Sequence, residues 1–468
     1  MSERITSDFA TLRCRAHLAN RAARFLSSFT VMVGMVIRRY YHAVFWRVGC
    51  RSQHVAGPQV GTADDKIRAV TFGGSTDRRG FLQLLIAASL PLRGRGEQEK
   101  PVAQPPKGIA LDPKDNAYHV YPGARIQDAL ERAAKDPAHK TVYVHAGAYR
   151  PSAKGQALIW FNARHDGITL EAVGEVTLTA ANPEMSDPRT PSHPAIVNHV
   201  VYFGDGVSRK TTLRGFKITG ARNFTTGSGE KSPIESADVK KTAFFYTDGG
   251  GIKIFSRSYP TIEHVEVHDN YASPCGGGVS VEHLGQTQDA AVFRHCIFRN
   301  NGTQTTGAAI DLLHGSAAVI ENCLFVGNVA NMGVDYVGLL AGAEYLAENG
   351  SGALTVFERS KATVSRSTFT NNWAGVDDNG NGSTYVDTIF WKNTLKGGIS
   401  KGPRYELDIT EGSGVRGSFI HGEVNDLRGT IDPAANTFNP PDPRFDAQFA
   451  PQAPQYAKVG YRPVKRSS

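Results

Sequence analysis

Four short segments place ionisable side chains at matching positions. Residues 249–254, 276–281, 307–312 and 352–357 each open on glycine and run into an alternating apolar strand. Alternation puts Ile252 and Ile254, Val279 and Val281, Ile310 and Leu312, and Leu354 and Val356 on one face, and their neighbours on the other. Aligned on Ile252, Val279, Ile310 and Leu354, the second face carries the row Lys253, Ser280, Asp311 and Thr355. Phe255, Glu282, Leu313 and Phe357 lie beside it, and Ser256, His283, His314 and Glu358 at the strand ends. This alignment predicts that Glu282, His283, Asp311 and His314 converge on one patch near Lys253. Such a mixture suits β-elimination on a uronic acid polymer, where a base takes the C5 proton and a positive group or cation neutralises the neighbouring carboxylate. Lys253, His283 or His314 could be the base, while Glu282 and Asp311 could bind substrate or a hard cation such as Ca²⁺. The plainer reading is a solvated sheet face whose charges keep the strand soluble.

Three further groups could do chemistry. Asp377 and Asp378 stand in a Gly/Asn-rich stretch, residues 375–382, and could share a Ca²⁺ ion, although such runs are also ordinary turn chemistry. His264, Glu266 and His268 alternate along one predicted strand and could ligate a transition metal. Cys296 and Cys323 hold equivalent repeat positions and should stack inside within disulfide range, with the reduced pair the expected state. No Cys-x-x-Cys spacing of the zinc-binding kind occurs.

What must position these groups is a repeat. Five copies of one pattern occupy residues 264–270, 295–301, 322–328, 366–372 and 387–393. In each, a small or apolar residue (Val265, Cys296, Cys323, Ser367, Thr388) lies two before an apolar one (Val267, Phe298, Phe325, Phe369, Phe390) and five before an asparagine (Asn270, Asn301, Asn328, Asn372, Asn393). The two-residue step marks a strand with one buried face, and the asparagine marks a corner. Steps of 31, 27, 44 and 21 residues between the asparagines describe a constant coil with variable loops. Stacked coils put equivalent residues about 4.8 Å apart, so the asparagines should form an interior amide ladder and the phenylalanines a stack. Residues 221–248 and 331–351 interrupt the rhythm and could wall a groove.

On these motifs the chain resembles the right-handed parallel β-helix proteins of the pectate-lyase-like superfamily, and the resemblance covers nearly everything after about Asp112. Residues 119–150 look like that family's amino-terminal entry of strand, capping helix and strand. Ile126, Ala129, Leu130 and Ala133 follow the spacing of an amphipathic helix able to cover a solenoid's open end. Residues 167–180 and 211–220 read as early coils, and 442–463 are similar to the closing segment of such repeats. The resemblance implies an all-β, right-handed parallel β-helix with an N-terminal capping helix, and a groove along one sheet that engages a polysaccharide or cell-surface glycan. It leaves open a polysaccharide lyase, hydrolysis or epimerisation of a glycan, and a non-catalytic envelope or adhesion protein, because fold alone does not choose among activities. Related pectin hydrolases carry an Asp-Asp pair followed by His-Gly, whereas here His314-Gly315 precedes Asp377-Asp378. No known catalytic set of the family maps residue by residue.

The amino-terminal part reads differently. Residues 1–75 form a leader extension, 76–92 resemble a twin-arginine export signal built on Arg78 and Arg79, 93–111 read as a linker, and 112–468 as the β-helix domain. The expected location is therefore periplasmic, cell-surface or extracellular. The apolar stretch 25–37, at about 13 residues, falls short of the ~20 a spanning helix needs, so no permanent membrane span is expected. Residues 1–100 contain 16 Lys+Arg against 7 Asp+Glu, leaving 36 against 37 for the rest. The basic balance belongs to the leader, and the near-neutral remainder argues against a nucleic-acid partner. A single elongated monomer is the expected form.

Overall fold

The computed structural model describes residues 107–184, 195–222, 248–273, 275–333, 352–395, 404–409, 412–426 and 431–466. Arg78 and Arg79, the leader and most of the two long insertions lie outside the described residues. The fold is a right-handed parallel β-helix. Its first strands, β1 (Ile109–Asp112) and β2 (Ala117–Val120), form an antiparallel hairpin; among the described residues every other strand pairing is parallel. Strand β1 thus lies largely within the stretch that reads as linker.

The helix α1 (Ile126–Lys135) follows and buries the four residues its spacing singled out, Ile126, Ala129, Leu130 and Ala133. It also closes a sheet edge. Gln127 accepts from Trp160 N (2.9 Å) and donates to Trp160 O (3.2 Å). One side-chain amide thereby pairs with the edge strand at Trp160, where a neighbour strand is missing. Strand β3 (Thr141–Tyr149) then starts the parallel ladder against β2.

Each coil gives one strand to a nine-stranded sheet and bent strand pairs to an eighteen-stranded one. The bend has a local cause. His264, His295, Asn322, Arg366 and Asp387 all adopt positive φ, between 46° and 55°, at the first position of the five motif copies. A second left-handed residue (Asp269, Asn300, Gly327, Asn371, Lys392) precedes each motif asparagine, and Asp, Asn and Gly tolerate that conformation best. The asparagines then turn inward as a ladder. Each Nδ2 donates to the next Oδ1: Asn270 to Asn301 (3.2 Å), Asn301 to Asn328 (3.0 Å), Asn328 to Asn372 (2.9 Å) and Asn372 to Asn393 (2.8 Å). Glu406 ends it, accepting from Asn393 N (2.9 Å) and Asn393 Nδ2.

Beside the ladder Phe298, Phe325, Phe369 and Phe390 stack at 4.2–5.2 Å between ring centres, fully buried. Cys296 and Cys323 are buried thiols whose sulfurs donate to backbone carbonyls. The closing segment runs back along the outside of the larger sheet. Tyr456 packs with Ile389 and Trp391, and Tyr461 with Leu324 and Val326. Tyr461 N donates to Thr368 Oγ1 (2.9 Å) and Arg462 N to Asn322 Oδ1 (2.7 Å). That face is therefore covered by the chain itself. Among the described residues no helix is long and apolar enough to cross a membrane.

Candidate functional site

The nine-stranded sheet carries the row expected from the sequence, and extends it at both ends. Strand register aligns Trp160, Tyr202, Lys253, Ser280, Asp311, Thr355, Asp377, Asp408 and Asn425 on one outward face. Outward does not mean solvated here. Lys253, Ser280 and Asp311 are fully buried and Thr355 and Asp377 nearly so, whereas Asp408 and Asn425 are half-buried. The glycine-rich entry to each strand supplies the reason. Gly249 and Gly276 have φ of 76° and 67°, and a Cβ on Gly276 would come within 2.8 Å of Ser280 Cβ. Only a backbone without side chains can fold back so closely over the row.

At the buried end Lys253 Nζ donates to Asp248 Oδ1 (2.7 Å), Glu282 Oε2 (2.7 Å) and Ser280 Oγ (3.3 Å), and Ser280 Oγ donates to Asp248 Oδ2 (2.6 Å). Burial alone would push the ammonium pKa down, but Asp248 and Glu282 outweigh it and hold the group charged above its ordinary value. A lysine so clamped is a fixed cation and not a base. Asp311 lies one rung beyond Ser280. Burial first, then the charge of Asp248, drives its carboxyl well above the usual range. Both causes favour its protonated form, and Oδ2 accepts from Thr306 Oγ1 (3.2 Å).

The two histidines do not join this group. His283 is buried with Nε2 2.9 Å from Ser258 O and Nδ1 accepting from Ala317 N at 3.2 Å. Burial lowers its pKa to about 4, so the ring is neutral, and neither nitrogen has a lone pair left to take a proton. His314 is exposed and packs on Phe357, ring centres 5.0 Å apart. Of the patch, Lys253 and Glu282 are joined as an ion pair.

The expected Asp377–Asp378 ion site is corrected by the strand they occupy. Both lie in Val376–Asp378, and consecutive strand residues point to opposite faces. Asp378 faces inward: Oδ1 accepts from Gly380 N (2.8 Å), and Oδ2 from Tyr385 Oη (3.0 Å) and Ser413 Oγ (2.6 Å). Asp377 faces outward, with Oδ1 accepting from Asn379 Nδ2 at 3.0 Å. The pair cannot converge on one ion. The strand expected to carry His264, Glu266 and His268 is likewise broken by the left-handed His264, which separates Thr261–Glu263 from Glu266–His268. Glu266 pairs with Arg299, and His268 Nδ1 lies 2.7 Å from Asp269 Oδ2.

What sequence reasoning missed is Asp408, the register partner of Asp377 on the next coil. Its strand, Leu407–Ile409, has the same in-out-in alternation as Ile310–Leu312, but follows Arg404–Glu406 in place of a glycine-led entry such as Gly307–Ala309, which hid it. Burial, then the charges of Asp408 and Asp378, raise the Asp377 carboxyl to about 7. Burial also raises Asp408, against a hydrogen bond from Asn425 Nδ2 at 2.8 Å. Neighbouring strands lie about 4.8 Å apart, so register sets the two side chains next to each other on one face. This end of the row offers a carboxylic acid protonated near neutrality beside a second carboxyl that solvent reaches.

Comparison with known proteins follows the fold. The family described as "Right handed beta helix region" matches residues 200–341. No curated protein matches the chain. Among solved structures, the Streptococcus pneumoniae surface protein and adhesin PfbA is similar at 13% identity, over 67% of this chain and 92% of that one, with a TM-score of 0.27. The catalytic domain of a GH87 alpha-1,3-glucanase, solved as its D1069A variant with tetrasaccharides, is similar at 12% identity over 69% and 68%, with a TM-score of 0.22.

Proposed function

We propose that the chain is an exported parallel β-helix protein that acts on a glycan at the open end of its outward row, with Asp377 as proton donor and Asp408 as the paired carboxylate. The observation that carries this reading is a nearly buried carboxyl, Asp377, in register with the half-exposed Asp408, with burial raising the Asp377 pKa to about 7. A glycosidic oxygen needs such a proton as its bond to the anomeric carbon breaks, and the second carboxylate stabilises or attacks that carbon. Water completes the reaction and returns a proton to Asp377. Elimination is less well supported, because Lys253 is held charged and His283 has no free lone pair. Export rests on the arginine pair and the apolar run after it; replacing Arg78 and Arg79 together with Lys should leave precursor in the cytoplasm.

A panel of neutral and uronate polysaccharides tests the activity, with new reducing ends and unsaturated product followed separately. Expected are reducing ends without ultraviolet absorbance, falling away above pH 7 as Asp377 loses its proton. Asp377→Asn should lower kcat/KM by about 10²–10⁴-fold. Full activity in both Asp377→Asn and Asp408→Asn overturns the assignment. Unsaturated product would restore elimination, and binding without turnover would favour a rigid adhesion surface.

A further inference from the structure

A second cluster lies far from the row in sequence, on the amino-terminal hairpin. Asp112 ends β1, Asp115 sits in the turn and His119 is in β2. One ligand atom from each of the three lies within 4.8 Å of the other two. His119 Nε2 is 2.9 Å from Asp115 Oδ2. Asp112 Oδ1 accepts from Lys114 N at 2.9 Å, which restrains the carboxyl. The hairpin is rigid: four register pairs join β1 to β2, and β2 is paired to β3.

The other nitrogen of His119 decides what this cluster is for. Nδ1 lies 2.8 Å from His145 Nε2 on β3. His145 is stacked on Tyr121 at 4.3 Å and 11°, and Tyr143 lies 5.3 Å from the His119 ring. At that distance the two rings share one hydrogen bond, and His145 Nε2 can be its acceptor. When His119 Nδ1–H donates to it, the Nε2 lone pair faces the two carboxylates. A metal-ligating histidine is oriented in just this manner by a hydrogen bond to its second nitrogen. A nitrogen lone pair beside two carboxylates is a mixed N/O donor set that suits a first-row transition dication better than Ca²⁺, which takes oxygen ligands.

We propose that Asp112, Asp115 and His119 form a divalent transition-metal site, with His145 as the positioning residue that holds His119 in its ligating tautomer. Three protein ligands leave room for water or a ligand group on the ion.

Zn²⁺ titrated calorimetrically into the chelator-treated full chain is the test, with Co²⁺ absorbance in the visible range as a second readout. Expected are one Zn²⁺ equivalent in the wild type, loss of that heat and of the Co²⁺ bands in His119→Ala and Asp115→Asn, and about 10–100-fold weaker binding in His145→Phe. Metal-free unfolding curves that match the wild type show that the variants fold. Equal binding in wild type and His119→Ala, or none in either, overturns the site and leaves an adventitious ion only. Unchanged affinity in His145→Phe overturns its positioning role.

Discussion

The inward ladder and the outward row are built by the same device, one residue per coil in register, yet they use it oppositely. In the ladder every rung is an amide that both donates and accepts, so Asn270 to Asn393 satisfy one another and end on Glu406. In the row the rungs change from aromatic to cation to hydroxyl to carboxyl. Lys253 is matched by two carboxylates, whereas Asp311, Asp377 and Asp408 have no cation on an adjacent rung. Identical stacking stabilises when the side chain complements itself, and perturbs proton affinity when it does not. The ladder is architecture; the carboxyl end of the row is where chemistry is affordable.

Substitutions should separate the two. The largest effect belongs to the interior. Phe325→Ala removes a ring packed between Phe298 and Phe369, and should cost about 3–5 kcal/mol in denaturant unfolding. A loss under about 1 kcal/mol would mean that the stack does not hold the coils together.

Next comes the ladder's terminus. Burial raises the Glu406 carboxyl from its ordinary 4.5 to about 7. The folded state therefore binds more protons than the unfolded one across that window, so this group's contribution to stability declines as pH rises from 4.5 to 7 and stays low above it. Glu406→Gln removes the titration and keeps one of the two acceptor oxygens that Asn393 uses. Its stability relative to the wild type should therefore rise by on the order of 3 kcal/mol between pH 4 and pH 8, measured as the change with pH of the difference between the two unfolding curves. A variant destabilised equally at both pH values would show that the carboxyl is not strained.

The smallest change is expected at Asp311. Because burial and Asp248 favour the uncharged form of that carboxyl, Asp311→Asn should alter stability by less than about 1 kcal/mol at pH 7. A large loss would mean that Asp311 is ionised and paired.

The repeat made most of the coil core legible. Two-residue alternation located the inward faces, the asparagine spacing located the ladder, and Ile126, Ala129, Leu130 and Ala133 located the cap. The row's register from Lys253 to Thr355 also followed from alignment of the glycine-led strands. Three things were hidden for physical reasons. A left-handed residue leaves no periodic trace, so the break at His264 was invisible to alternation. Gly375 and the Asn/Gly run after Asp378 look like a corner, although Val376–Asp378 is a strand held between Leu354–Val356 and Leu407–Ile409. Burial of the row depends on chain folding back through Gly249 and Gly276, a tertiary event that composition does not encode. The acid pair was therefore half seen: Asp377 was noticed for the wrong neighbour, and Asp408 only became its partner once the coils were stacked.

The most direct test of the acid pair is the titration of the Asp377 carboxyl, read by ¹³C NMR on chain labelled at aspartate and assigned by difference from Asp377→Asn. The account predicts a midpoint near 7 that drops when Asp408 is replaced by Asn. A midpoint near the ordinary 3.8, unmoved by that replacement, would contradict it.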